Sequence, residues 1–135
     1  MTTTDLDLTP TRALAASASD EKLVQAEATQ AAFHEKEIRA MGEAAAVIVN
    51  EVRSAFGRQD PIGGFEGARA VLAALSEVGT VAEWRRARYR RMVADYDRAA
   101  SRVDSARVAA EILREERLDR IRTGSWERRL YLVGN

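Results

Sequence analysis

The sequence predicts an all-α fold. Two long helices fold back on each other as an antiparallel, coiled-coil-like hairpin, with a short helix near the bend and a flexible N-terminal arm. Three observations predict it. Ala, Arg, Glu and Leu dominate the 135 residues, which is the composition of long helices. The strongest helix breakers gather around Pro61, Gly63 and Gly64, and no Gly or Pro occurs from 80 to 123. On both sides of that break, apolar residues recur at alternating steps of three and four, the spacing of one helical face in a coiled coil.

Residues 1–19 are rich in Thr, Ser, Asp and Ala and read as a flexible arm able to gain order on a partner. A single helical domain is expected over 20–135. Its first helix, 20–56, starts at Ser19 or Asp20, either of which can cap free N–H groups, and Glu21 suits the positive end of the dipole. The apolar stripe runs Val24, Ala31, Ile38, Met41, Ala45, Ile48, Val52, Ala55, and Gly57 suits a left-handed end. A short helix over 65–78 carries Phe65, Ala68, Val71, Leu72, Leu75 and Val78 on one side. Thr80 and Glu83 have the spacing of a capping box and open a helix over 80–122. Its stripe is Tyr89, Met92, Tyr96, Ala99, Val103, Ala106, Ala110, Leu113, slipping afterwards to Leu118 and Ile121. In the tail, 125–135, Trp126, Leu130 and Val133 share a helical face.

Charge supports the folding back. Net charge is zero, yet residues 1–78 carry 7 basic and 12 acidic side chains, and residues 79–135 carry 14 and 9. Halves of opposite sign suit a chain that pairs with itself. Whether the hairpin closes within one chain or between two copies stays open at this stage. There are no cysteines, so disulfides and thiolate metal sites are excluded. The N-terminus lacks the basic start and apolar run of a secretory signal, and no apolar stretch nears a membrane span. The expectation is a cytoplasmic protein, with a place beside a membrane-bound machine or within a virion allowed.

Catalytic chemistry finds little footing. His34 is the one histidine, and a lone histidine makes a poor metal site. The carboxylate pairs Glu35/Glu37, Asp95/Asp97 and Glu115/Glu116 are one or two residues apart and diverge on a helix. Gly63, Gly64 and Gly67 lack the preceding strand and the Lys-Ser/Thr of a phosphate loop. No Ser or Thr has a candidate base. The chain is therefore expected to be no enzyme and to use no cofactor or metal.

The strongest local anomaly is Arg85, Arg86, Arg88, Arg90 and Arg91, with Trp84 and Tyr89 interleaved. Such a cluster can face an acidic protein surface, including the chain's own first half, or grip phosphates and stacked bases. At helical spacing the five guanidiniums spread around the circumference, and the neutral chain is unlike most nucleic-acid binders.

The run Trp84-Arg85-Arg86-Ala87-Arg88-Tyr89-Arg90-Arg91-Met92, then Ala106-Arg107 and Leu113-Arg114-Glu115-Glu116-Arg117-Leu118, resembles the second helix of the flagellar export protein FliJ family and its type III secretion counterparts. That helix tends to open with an aromatic residue and to carry an Ala-Arg step later. The likeness covers 84–121. It implies a non-enzymatic hairpin acting as stalk or chaperone escort, seated in the ring of an export ATPase and touching the export gate. The gate-facing positions it implies are Tyr89, Val93, Tyr96 and Ala100. The polar N-terminal arm, the neutral charge and the helix at 65–78 depart from the family pattern.

The function expected from the sequence is thus a protein–protein interaction or assembly factor within a larger complex, with homo-oligomers allowed. The alternatives are a nucleic-acid-binding helical module acting through the arginines at 85–91 and a phage virion structural or assembly component.

Overall fold

The computed structural model describes residues 8–57 and 61–126. It holds four helices and, among the described residues, no strand: α1 (Thr9–Ser17), α2 (Asp20–Ala55), α3 (Gly64–Leu75) and α4 (Glu83–Arg122). The long helices α2 and α4 pack against each other antiparallel: Arg120 meets Asp20 in one region and Arg88 meets Glu51 in another. No helix among the described residues is long and apolar enough to cross a membrane.

The element boundaries differ from the sequence reading in three places, each for a local reason. Residues 9–17, expected to belong to a flexible arm, form α1 with Pro10 in its first turn, where its missing N–H is harmless. α1 persists because Ala15 is buried against Leu23 and Leu113. Residues 1–7 of that arm lie outside the described residues, as does the tail beyond Trp126. α3 stops at Leu75 instead of 78, where Glu77 and Val78 tighten into bonds to Ala74 and Leu75 carbonyls. The capping box does not form. Thr80 sits in a turn, α4 starts at Glu83, and the Arg85 and Arg86 N–H groups donate to the Ala82 carbonyl.

The chain divides into two compact units, 1–37 with 101–135 and 38–100. In the second unit α3 is a full packing partner. Ala68 and Leu72 join Ile48 and Val52 of α2 and Tyr89 of α4 in one buried cluster, with Phe65, Met92, Val93 and Tyr96 packed around it. The Phe65 and Tyr96 rings meet at 4.4 Å between centroids, tilted by 45°. Arg69 of α3 grips both carboxylate oxygens of Asp97 at 3.0 and 2.7 Å. The hydrogen bond to Asp97 is the main reason the Arg69 guanidinium is held above its usual range.

The first unit is built differently. Its apolar cluster is small, Ala15, Leu23 and Leu113 with Ala26, Ile112 and Trp126 around it. The inward face of α2 is largely polar. Asp20 and Glu37 are buried, and Glu27, Gln30 and His34 are half-buried. Val24, Ala31 and Ile38, the expected start of the apolar stripe, are exposed. The stripe is therefore corrected by one residue, a rotation of roughly 100°. Arginines from α4 supply the reason: Arg120 reaches Asp20 at 2.8 Å, Arg117 reaches Glu27 at 2.5 Å and Arg102 reaches Glu37 at 2.9 Å. The Gln30 amide also donates to the Ala106 carbonyl at 3.2 Å. These partners descend α4 as they ascend α2. The opposite charges of the two sequence halves meet here.

A candidate protein-interaction surface

The arginine-rich start of α4 is the site with most to explain. Arg85 donates to the Tyr89 hydroxyl at 2.8 Å, and its guanidinium carbon stands 5.7 Å from the centre of that ring. Arg86 pairs with Glu83 one turn back at 2.7 Å, while its buried Nε has no hydrogen-bond partner. Arg88 crosses to Glu51 of α2 at 2.7 Å. Arg90 holds Glu83 at 2.9 Å and the Ser76 carbonyl at 3.0 Å, pinning the turn between α3 and α4. Arg91 is exposed, and no hydrogen bond or ion pair of its side chain occurs among the described residues. Four of the five guanidiniums are thus committed inside the chain.

The four positions that the family resemblance points to lie together but face inward. Tyr89 is 1% exposed at the centre of the core, and Val93 and Tyr96 pack against that same cluster. Ala100 is half-buried. Tyr89, Val93 and Tyr96 thus pack in a cluster with residues of α2 and α3.

Large apolar side chains remain outside in the same unit. Phe56 is 58% exposed, Ile62 98% and Trp84 66%. All three sit at element ends: just past the end of α2, in the turn before α3 and in the first turn of α4. The sequence marks Trp84 through its place among the arginines. Phe56 and Ile62 flank the break, where period gives no signal.

In the first unit a broad open groove runs between α1 and α4, lined by Ala15, Ala16, Ile112, Glu115 and Leu118 among others. Its charged rim includes Arg122, paired with Asp119 along the helix surface. His34 lies half-buried on α2, and no group of three metal-ligating side chains occurs among the described residues. No family model, no curated protein and no solved structure matches this chain.

Proposed function

We propose that this protein is a non-enzymatic interaction or assembly factor, a helical hairpin that binds a larger protein complex. The observation that carries this reading is the set of large apolar side chains, Phe56, Ile62 and Trp84, left in solvent in a unit that buries Tyr89, Ile48 and Leu72 completely enough to show that burial was available. A protein partner covering these side chains would remove their apolar surface from water, and tryptophan is a residue type that concentrates binding energy at interfaces. A stalk or escort role in an export ATPase complex is the specific form that the resemblance at 84–121 implies. The inward direction of Tyr89, Val93 and Tyr96 argues for a docking surface other than that stripe.

The nucleic-acid reading loses support from the ion pairs. Guanidiniums engaged with Glu83, Glu51 and Tyr89 must release those partners before neutralising phosphates.

Affinity capture of the full chain from its native cells, with and without nuclease, followed by mass spectrometry, tests the proposal. The expected result is a nuclease-resistant set of proteins from one assembly, an export ATPase among them for the stalk form. Recovery of the chain alone, or only of partners that nuclease removes, overturns it.

A further inference from the structure

We propose that the outer face of the first two turns of α4, formed by Trp84, Arg88 and Arg91, docks an acidic amphipathic helix of a partner protein. This deepens the interaction reading and rests on it. The three residues stand at i, i+4 and i+7 and so share one exposed helical face, turned away from the core positions Tyr89 and Val93. Trp84 is the large apolar residue of that face, and its ring is mostly in water. Tryptophan and arginine are the residue types that concentrate binding energy at protein interfaces.

Charge selects the partner. Two carboxylates, Glu83 and Glu51, serve the five guanidiniums at 85–91: Arg86 and Arg90 share Glu83, and Arg88 takes Glu51. Arg85 has a neutral hydroxyl and a ring face instead. The start of α4 therefore carries a local excess of positive charge beside an exposed indole, in a chain whose net charge is zero. A helix with glutamates flanking an apolar edge complements both properties: the apolar edge covers the indole, and a carboxylate reaches Arg91, while Arg88 lines the edge with its guanidinium still held by Glu51. A nucleic-acid backbone fits less well. Two outward arginines on one face make a short track, and affinity for phosphates grows with the number neutralised.

The test is a fluorescence titration of the full chain carrying Trp126→Phe, which leaves Trp84 as its one tryptophan. Two probes are used: a Glu/Leu peptide of roughly 16 residues with leucines at i, i+3, i+4 and i+7, and a duplex DNA of similar length. Calorimetric titration of the unaltered chain gives the same ranking independently of that substitution. The expected result is a saturable blue shift with the peptide, about tenfold weaker binding for Arg91→Glu, and unchanged binding for Arg114→Glu, an exposed arginine elsewhere on α4. Absence of peptide binding, equal weakening by Arg114→Glu, or stronger saturable binding of DNA overturns the proposal. Failure here beside a successful native capture removes this docking face and leaves the interaction reading standing; failure of both removes both.

Discussion

Gly67 lies in the first turn of α3 with the Ile62 carbonyl pressed against it. A Cβ at this position would fall 1.7 Å from that oxygen, so any side chain must push the turn open. Gly67→Ala is expected to lower stability by about 2–4 kcal/mol, read as a fall in midpoint of chemical denaturation. Gly42, in the middle of α2, has nothing within 4 Å of the corresponding point. There Gly42→Ala should raise stability by about 0.5–1 kcal/mol through helix propensity alone. The glycine pattern at 63, 64 and 67 was legible as a turn. That Gly67 is the intolerant member was not, because the constraint comes from a backbone oxygen five residues away. Tyr89 makes a similar point. Tyr89→Phe removes only the bond from Arg85 and should cost about 0.5–1.5 kcal/mol, whereas Tyr89→Ala empties the centre of the core and should cost about 3–5 kcal/mol.

At the scale of the element, α1 and the first half of α2 depend on one arginine. Arg120 donates to the Asp20 carboxylate at 2.8 Å and to the Ala15 carbonyl at 3.0 Å, joining the last turn of α1 to the start of α2. Asp20 is only 7% exposed, so loss of this guanidinium removes the cross-helix charge that balances a buried carboxylate. Arg120→Met is expected to destabilise by about 2–4 kcal/mol. The double variant Asp20→Leu with Arg120→Met should recover much of that, because the charge left behind is gone. Denaturant unfolding of the two variants side by side checks the sign of the recovery; a double variant worse than Arg120→Met contradicts this account. The stripe of α4 was readable because its apolar residues keep steps of three and four from Tyr89 to Leu113, and Tyr89, Ala99, Ala106 and Leu113 along it are buried. The stripe of α2 was not. Apolar period assigned the inner edge to Val24, Ala31 and Ile38, but Asp20, Glu27 and Glu37 turn inward because Arg120, Arg117 and Arg102 meet them. No rule of period within one helix reports where another helix places its arginines.

At the scale of the molecule, the two units are held by different forces. The first relies on cross-helix ion pairs around a small apolar cluster, and the second on a cluster that includes Tyr89, Ile48 and Leu72. Salt screens partly exposed pairs and leaves apolar burial intact or slightly strengthened. Hydrogen exchange in about 1 M sodium chloride should therefore speed amide exchange at 20–37 more than at 38–55 of the same helix. Equal change in the two halves would mean that the ion pairs contribute little to holding the first unit.

By itself the sequence determined the helical class, the two long helices, the break around Pro61 and the inward edge of α4 from Tyr89 to Leu113, though not its continuation to Leu118, which is exposed. Each of these follows from composition, punctuation or period, which are properties of a chain read locally. Tertiary structure alone decided that α1 is a helix, that α2 turns a polar edge inward in the first unit, and that Tyr89, Val93 and Tyr96 serve the core while Trp84 stays outside. Those outcomes depend on which side chain another element offers at the point of contact. A buried carboxylate is tolerable only where a guanidinium arrives to meet it, and an aromatic ring is hidden only where a third helix covers it.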